Sequence, residues 1–449
     1  MVFDVERARR DTPGASRVAH LNNAGAALPP SRVTEAVIAH LRREAELGGY
    51  EAADAAAERV QATYTAIARL IGCEVDEIAV VENATRAWDM AFYALSFTPG
   101  DRILTTHAEY ASNVIAFLQV ARRTGAVVEV VDDDEHGQIS VADLRRRLNS
   151  GGPVKLIAVT HVPTQGGLVN PAEQVGALAR EAGVLFLLDA CQSVGQLSID
   201  VQRIGADLLS ATGRKYLRGP RGTGFLYVRR SILDRLEPPF LDLHAATWTA
   251  PGRYEIRPDA RRFETWETNY AGKIGLGVAI DYALSWGLDA IETSVTALAE
   301  SLRERLRALA GVRVHDQGQR RCGIVTFTVE GVPAQEVRGY LARAGVNTSV
   351  SRASSARLDL PYRGLSELVR ASVHYYNTDD ELDRLVTALP ASTLSVASPR
   401  GGWDSPCRSC STATGTVKPV GPTLTQDQRP SLTTGTPALA MLSTRSPAR

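Results

Sequence analysis

Between residues 60 and 230, short apolar runs alternate with longer segments in which apolar residues recur every three or four positions. The short runs predict buried strands, and the longer periodic segments predict amphipathic helices. The seven strand candidates are DEIAVVEN, DRILTTH, AVVEVVDDD, KLIAVTHV, VLFLLDA, ADLLSA and GTGFLYVRR. Because helical segments such as TRAWDMAFYAL, VADLRRRLN and PAEQVGALAREAG separate them, we expect an α/β fold with a mostly parallel seven-stranded sheet.

The remaining chain predicts further regions on both sides of this sheet. The loop LNNAGAALPP precedes a helix near the N-terminus, and a long helical pattern begins with KIGLGVAIDYALSWGL. After it come RCGIVTFTVEG, PAQEVRGYLARAG and LVRASVHYYN, a second and smaller α/β set. We therefore expect an N-terminal loop and helix over 1–45, a large domain over 46–273 and a smaller α/β C-terminal domain over 274–390. The Ser-, Thr- and Pro-rich segment 391–449 predicts a disordered tail.

Composition narrows the classes of partner. The 449 residues include 50 basic and 50 acidic side chains, so the net charge gives no field that attracts nucleic acid or an anionic membrane. No apolar run reaches the roughly 20 residues of a membrane-spanning helix, and the N-terminus lacks the apolar centre of a secretory signal. Five scattered cysteines predict neither a disulfide framework nor a metal site. We expect a cytoplasmic protein whose partners are small molecules or protein.

One lysine stands out in the segment ATGRKYLRGPRGTGFLYVRR, where Lys215 lies between a small polar turn and a glycine-rich run. A lysine after a strand can be a surface charge, a phosphate clamp or a covalent amine. Asp189 ends the intensely apolar run LFLLD, where an unpaired carboxylate would be costly. Both residues follow predicted neighbouring strands, so we expect them at the carboxyl edge of the sheet, where α/β folds bind ligands.

Pyridoxal phosphate requires this combination of groups: an amine, an acid for its pyridine nitrogen and donors for its phosphate. Lys215 would supply the amine and Asp189 the acid. ENATRAW begins a predicted helix whose amides and hydroxyl would hold a phosphate. The predicted phosphate contacts are Ala84, Thr85, Thr212 and Arg214.

Several separated motifs then occur in one order along the chain: LNNAGAALPP, ENATRA, HAEYASN, THVPTQGGLVNP, DACQ, TGRK and LVRASVHYYN. In this order they resemble the class V, fold-type I pyridoxal phosphate enzymes over about residues 20 to 390. That group includes cysteine desulfurases, selenocysteine lyases, isopenicillin N epimerase-like proteins and aminotransferases. The resemblance implies a PLP-dependent enzyme in which Lys215 bonds the cofactor and moves protons.

The resemblance also implies roles for further residues. Tyr110 would stack on the cofactor ring and count among the catalytic residues with Lys215 and Asp189. Thr164 and Gln192 would contact the phenolic oxygen of the cofactor. Arg370 would grip the α-carboxylate of a small amino-acid substrate. The N-terminal loop would lie beside the substrate through Asn23, Ala24 and Gly25.

FETWETNYAGKIGLG resembles the family segment that reaches the cofactor phosphate of a second subunit, which falls here on Asn269 or Thr268. Family members form their active sites at subunit interfaces. The resemblance therefore implies a homodimer with shared active sites.

Two positions depart from the desulfurase pattern. Tyr110 stands where desulfurases carry a histidine, and a tyrosine is a poorer proton shuttle near neutral pH. In GVNTSVSRASSARLDLP, Ser354 stands where a desulfurase carries its persulfide-forming cysteine, with Arg352 or Arg357 nearby as a substrate contact. Cys191 is expected to pack in a buried strand end rather than to act as a nucleophile.

The whole-chain pattern is most similar to the desulfurase and lyase branch, which implies a carbon–sulfur lyase acting on a cysteine-derived substrate. Such a lyase is compatible with Ser354, because elimination needs no enzyme persulfide. An aminotransferase or an amino-acid epimerase of the same family remains an alternative. A module that binds pyridoxal phosphate without catalysis is a more remote one.

Overall fold

The computed structural model describes residues 3–390, and the predicted disordered tail lies outside the described residues. The helices are α1 Val5–Arg10, α2 Asn23–Ala26, α3 Ser31–Leu47, α4 Gly49–Asp54, α5 Ala57–Ile71, α6 Ala84–Phe92, α7 Ala111–Thr124, α8 Val141–Leu148, α9 Ala172–Ala182, α10 Val201–Ile204, α11 Tyr270–Trp286, α12 Leu288–Arg307, α13 Ala334–Arg343 and α14 Asp379–Thr387. The strands are β1 Ala19–His20, β2 Ile78–Val81, β3 Arg102–Thr106, β4 Val127–Val131, β5 Val154–Thr160, β6 Leu185–Asp189, β7 Leu208–Thr212, β8 Gly224–Val228, β9 Ala246–Ala250, β10 Arg253–Ile256, β11 Val312–Val314, β12 Ile324–Val329, β13 Val346–Asn347, β14 Ser349–Arg352 and β15 Glu367–Ser372.

The predicted seven-stranded sheet is confirmed. Its order is β2-β8-β7-β6-β5-β3-β4, and every one of the seven predicted runs contributes one strand. The strands β4, β3, β5, β6 and β7 run parallel to one another, whereas β8 runs antiparallel to both β7 and β2. The sheet is therefore mostly parallel, and its parallel strands end at one edge.

The central strands read as continuous apolar runs because both faces of the sheet are covered. Along β6, Phe186 and Leu188 belong to one buried cluster, while Leu185 and Leu187 belong to another. Helix α9 ends at Gly183, whose φ of 66° is the left-handed conformation that glycine adopts at low cost.

A second sheet is formed within the region predicted for the smaller domain. Its order is β11-β12-β15-β14, with every pair antiparallel, and α12 and α13 pack beside its strands. The long helical pattern is two helices, because Gly287 with φ 83° separates α11 from α12. The predicted boundary at 273/274 falls inside α11, and the division into domains stays a prediction.

The N-terminal segment packs against the second sheet. β1 pairs in parallel with β13, and Asn22 forms an isolated bridge with Ser372 at the end of β15. These two pairings hold the N-terminal loop close to β15, the strand that carries Arg370.

Among residues 3–390, no single helix is long and apolar enough to cross a membrane. Helices α11 and α12 meet the length and composition criteria only as a pair, and that pair is bent by 80°.

Candidate active site

A cavity of about 440 Å³ opens at the carboxyl ends of β5, β6 and β7. Its volume lies in the range of pockets that enclose small cofactors and substrates. Nine of the predicted site residues line this cavity, and a tenth, Arg370, contacts it through Thr164. The residues that line the cavity are Asn83, Ala84, Thr85, Trp88, Tyr110, Asn113, Thr160, Val162, Thr164, Asp189, Cys191, Gln192, Thr212, Arg214 and Lys215.

Lys215 lies in the turn that follows β7. The turn is closed by the Gly219 amide, which donates to the Gly213 carbonyl at 2.7 Å, and by the Arg218 amide, which donates to the Lys215 carbonyl at 2.9 Å. Burial lowers the pKa of the Lys215 amine; the charge of Asp189 opposes this effect and the charge of Arg214 adds to it. The neutral amine, the form that attacks a carbonyl, is therefore more accessible here than in an exposed lysine.

Asp189 is the last residue of β6 and is only 5% exposed. One carboxylate oxygen accepts a hydrogen bond from the Cys191 amide at 2.9 Å, and the other accepts one from Asn113 Nδ2 at 3.1 Å. Two donors hold the carboxylate in one orientation beside the cavity. A fixed, buried carboxylate near an amine is the arrangement that keeps a cofactor pyridine nitrogen protonated.

The first turn of α6 forms another part of the cavity wall. Asn83 caps this helix by accepting a hydrogen bond from the Arg86 amide at 2.9 Å, so the amides of Ala84 and Thr85 face the cavity end at the helix N-terminus. The turn lies directly on Gly224 of β8, where an added Cβ would come within 2.7 Å of the Asn83 carbonyl carbon and 2.9 Å of the Ala84 nitrogen. The helix N-terminus, with its partial positive charge, fits a phosphate.

Thr212 and Arg214 line the same cavity. Thr212 is buried at the end of β7, and its hydroxyl is 3.4 Å from the Thr223 carbonyl. Arg214 donates to the carbonyl of Gly25 on the N-terminal loop. Arg214 therefore links the Lys215 turn to that loop and carries a positive charge at the cavity wall.

A chain of hydrogen bonds connects the cavity to the second sheet. Gln192 Nε2 donates to Thr164 Oγ1 at 3.2 Å, and Arg370 Nη1 donates to the Thr164 carbonyl at 3.0 Å and to its hydroxyl oxygen. Because the Thr164 oxygen accepts from both partners, its own O–H is left to donate into the cavity. Arg370 Nη2 donates to Asn22 Oδ1 at 3.3 Å.

The residues present fit pyridoxal phosphate. Among residues 3–390, the buried atoms Gln192 Oε1 and Arg370 Nε have no hydrogen-bond partner, although buried polar atoms are ordinarily paired. Both atoms belong to side chains at the cavity or its rim, where a polar ligand would satisfy them. Lys215, Asp189 and the α6 N-terminus supply the amine, the acid and the phosphate site that this cofactor needs.

Some predicted site residues are not brought into the cavity. The Asn23 side chain is fully buried and donates to the His20 and Ser372 carbonyls, so it braces the loop instead of facing a substrate. Ala24 and Gly25 contribute their carbonyls, which accept from Gln192 at 3.1 Å and from Arg214. Asn269 caps α11 through the Gly272 amide at 2.7 Å and does not line the cavity of its own chain.

Sequence reasoning missed four polar residues of the site: Asn22, Glu109, Asn113 and Thr160. Three of them contact one another behind Asp189, and Asn22 contacts Arg370. The motif HAEYASN contains a usable signal, because Glu109 and Asn113 are four positions apart at the start of a helix and share one face.

Three histidines outside the cavity have contacts of their own. Residues 3–390 contain no group of three or more His, Cys, Asp or Glu side chains that would hold a metal ion. His107 stacks on Tyr362 with ring centroids 4.2 Å apart, and His161 is buried. His244 lies 3.4 Å from Glu264.

The fold and the site together define a pyridoxal phosphate enzyme of fold type I. Comparison with known proteins agrees, because the sequence profile described as aminotransferase class-V matches residues 19–385. The chain belongs to the class V aminotransferase family. It is therefore a PLP-dependent enzyme, and its cofactor is pyridoxal 5'-phosphate.

Individual proteins show the same relationship. A probable cysteine desulfurase of Xylella fastidiosa (strain Temecula1) is 31% identical over 401 residues, which cover 86% of this chain and 95% of that protein. The apo structure of a cysteine desulfurase from Thermococcus onnurineus NA1 is similar with a TM-score of 0.79 at 27% identity, covering 86% of this chain and 97% of that one. The cystine C–S lyase C-DES in complex with its product cysteine persulfide has a TM-score of 0.76 at 22% identity, covering 84% and 98%, and shares the fold.

Proposed function

We propose that this enzyme is a carbon–sulfur lyase that acts on a cysteine-derived amino acid and releases the sulfur group directly. The observation that carries the proposal is Ser354, which is exposed in the short 3-10 helix Ala353–Ser355 directly after β14. A hydroxyl cannot take up sulfur as a persulfide, because that step needs a thiolate nucleophile.

The cysteines among the described residues do not replace the missing thiol. Cys191 lies in the cavity, but burial raises the pKa of its thiol well above the ordinary value and the charge of Asp189 adds to the effect. Burial also raises the pKa of Cys322 to about 12 and that of Cys73. These shifts disfavour the thiolate, which is the form that a persulfide-forming step requires.

Bound pyridoxal phosphate supplies an electron sink for the bond that breaks at the substrate α-carbon. Lys215, with its lowered pKa, would accept the substrate α-proton, and Asp189 would hold the pyridine nitrogen of the cofactor. Arg370 holds the substrate α-carboxylate, because its guanidinium is buried and its contacts Thr164 and Asn22 are uncharged.

In the overall reaction the bond between the β-carbon and sulfur breaks and the sulfur leaves with the electron pair. The leaving group takes a proton and departs as a thiol, while water converts the remaining three-carbon fragment to pyruvate and ammonia. No oxidant or reductant is needed. The relatives named cysteine desulfurases support a substrate derived from cysteine.

A second candidate is an aminotransferase, or an epimerase of the same family. The observation that favours it is Tyr110, which lines the cavity and stands where desulfurases carry the histidine that stacks on the cofactor ring. A tyrosine covers a ring but is a poorer proton shuttle near neutral pH than the histidine of desulfurases. An aminotransferase does not require that shuttle to protonate a leaving sulfur.

The experiment supplies the cofactor-loaded protein with cysteine, cysteine sulfoxides, selenocysteine and ordinary amino acids in parallel. Pyruvate, alanine, sulfide, released thiol or sulfenate and aminated cofactor are measured in each reaction, with Lys215→Ala as the inactive control. Stoichiometric pyruvate and released sulfur group support the lyase. A keto acid with aminated cofactor, or racemised substrate without pyruvate, would replace the lyase proposal with the second candidate.

We also propose that the enzyme acts as a homodimer. The hairpin β9–β10 places Trp248 opposite Tyr254, and these side chains are 69% and 54% exposed. An isolated two-stranded hairpin with an exposed aromatic pair is stabilised when another surface covers it. Phe240 and Trp266 are exposed as well, and Phe240 lies beside Arg86, 5.0 Å from its guanidinium, next to the α6 N-terminus.

This proposal is tested by the mass of the protein in solution. Light scattering should give the mass of two chains for the wild type, and Trp248→Glu should shift the population toward one chain at low protein concentration. A monomer at all concentrations that retains full activity would contradict the proposal.

A further inference from the structure

A second buried carboxylate, Glu109, lies behind Asp189 and has no part in the chemistry described above. Glu109 is only 3% exposed and lies between β3 and the first turn of α7. Five donors surround it: Thr105 Oγ1, the Tyr110 amide, Asn113 Nδ2, and both the amide and the hydroxyl of Thr160. So many donors on one carboxylate indicate a group whose position is closely controlled.

Asn113 joins this carboxylate to the cofactor acid. Its Nδ2 donates to Glu109 Oε1 at 2.8 Å and to Asp189 Oδ2 at 3.1 Å. An amide nitrogen carries two hydrogens, so one hydrogen goes to each carboxylate. Glu109 therefore fixes the rotation of the Asn113 amide, and that amide fixes one oxygen of Asp189.

Glu109 also holds the backbone of Tyr110, the residue expected to stack on the cofactor ring. The Tyr110 amide donates to Glu109 Oε1 at 2.8 Å and lies 3.3 Å from Thr160 Oγ1. The Thr160 amide, at the end of β5, donates to Glu109 Oε2 at 3.1 Å. The backbone of Tyr110 is thus tied through Glu109 to the same strand end that borders the cavity.

The charge of Glu109 is sensitive to its surroundings. Burial raises the pKa of Glu109 to about 7 and the negative charge of Asp189 adds to this, although hydrogen bonds from Thr160, Asn113 and the Tyr110 amide act in the opposite direction. Two charged groups lie near Glu109. They are Asp189 on β6 and, beyond Asp189, Lys215 in the turn after β7. Ionisation of Glu109 thus adds a negative charge close to the cofactor acid.

We propose that Glu109 is a positioning residue of the cofactor site, which orients Asp189 through Asn113 and fixes Tyr110 through its backbone amide and Thr160. The proposal rests on the assignment of Asp189 to the cofactor nitrogen. It does not depend on whether the enzyme is a lyase or an aminotransferase, so the two proposals fail in different experiments.

The test compares Glu109→Gln, Glu109→Asp and the wild type, with Asp143→Asn as a matched control. Asp143 is also buried and hydrogen-bonded, to Arg147 and the Asp132 amide, but it does not line the cavity. Three quantities are measured: the absorption spectrum of the bound cofactor as a function of pH, the dissociation constant of the cofactor and the melting temperature of the protein without cofactor.

Glu109→Gln places an amide N–H₂ among five donors and removes the charge. We expect the cofactor to bind about 10- to 100-fold more weakly, as when supporting partners of a bound group are lost. We expect the wild-type spectrum to change near pH 7 as Glu109 titrates, and this change should be absent in Glu109→Gln, because an amide does not titrate. Glu109→Asp should retain it, and Asp143→Asn should lower the melting temperature only.

If Glu109→Gln does not fold, Asn113→Ala carries the test, because it keeps both carboxylates and removes only the bridge. It should weaken cofactor binding and shift the pH dependence of the spectrum. The proposal is overturned if the folded variant, Glu109→Gln or Asn113→Ala, keeps the spectrum, its pH dependence and the cofactor affinity of the wild type and loses stability alone.

Discussion

Gly224 offers a sharp test of the phosphate end of the cavity. This glycine begins β8 between Val81 of β2 and Thr212 of β7 in the sheet register. An added Cβ would lie 2.7 Å from the Asn83 carbonyl carbon, 2.9 Å from the Ala84 nitrogen and 2.7 Å from the Ala211 carbonyl oxygen. All three neighbours are backbone atoms, so no flexible side chain can turn away.

The Gly224→Ala substitution must therefore displace the first turn of α6 or the strand beside it. Overpacking of this kind costs about 1–3 kcal/mol. If the first turn of α6 moves, cofactor binding must return it to its original position, and the free energy of that movement weakens binding. A cost of about 1–3 kcal/mol corresponds to an increase of about 5- to 150-fold in the dissociation constant of the cofactor. If the turn does not move, the same cost lowers the stability of the protein with and without cofactor.

The assay is a cofactor titration followed by absorbance, together with thermal unfolding of the apo and cofactor-bound protein. Gly252→Ala is the matched control, because a Cβ at that glycine has no atom within 4 Å. Neither glycine needs a left-handed φ, so the two substitutions differ in available space. The reasoning is refuted if Gly224→Ala and Gly252→Ala give the same cofactor affinity and the same melting temperatures as each other and as the wild type.

Three further predictions concern single side chains. Lys215→Ala should bind the cofactor without a covalent bond and lose turnover by about 10²- to 10⁴-fold or more, and borohydride treatment should then leave the cofactor removable by dialysis. Asn22→Asp should place a competing negative charge 3.3 Å from Arg370 and raise KM about 5- to 150-fold with a smaller effect on kcat, whereas equal losses in both would contradict a carboxylate contact. Glu264 is buried, which raises its pKa, but His244, Lys273, the Val80 amide and the Tyr64 hydroxyl together lower the pKa to about 2 from a model-peptide value near 4.5. The stability that it contributes, about 3 kcal/mol, is present above pH ~4.5 and lost as the pH falls through 2, so denaturant titrations of Glu264→Gln should show a shallower acid loss than the wild type.

The large sheet was predictable from the chain because its strands are buried on both faces. Such strands are short apolar runs, which stand out between helices of a different period, as LFLLD and LLSAT show. Asp189 drew attention for a related reason, because a carboxylate at the end of a buried strand is costly without a partner. Lys215 was proposed from the glycine-rich segment around it and from the order of the separated motifs. The apolar runs and the buried carboxylate are local signals, so they are readable in one stretch of sequence.

The parts of the site that were missed depend on contacts between distant segments. Nothing in the sequence near Asn22 indicates that its side-chain oxygen accepts a hydrogen bond from Arg370 on β15. Nor does it indicate that the Asn23 side chain donates to the Ser372 carbonyl instead of facing the substrate. The break at Gly287 was missed because α11 and α12 share one helical period up to a single residue.

The sequence by itself predicted the α/β class and the seven strand runs, since these follow from local periodicity, and its motifs proposed Lys215 and Asp189 as the amine and the acid. The order of the strands in the sheet came from the tertiary structure. Only the tertiary structure decided which side chains face the cavity and which brace its walls. The physical reason is that a polar side chain such as Glu109 or Asn113 is assigned by the partners that satisfy its hydrogen bonds. Those partners are brought together by packing and not by neighbourhood along the chain.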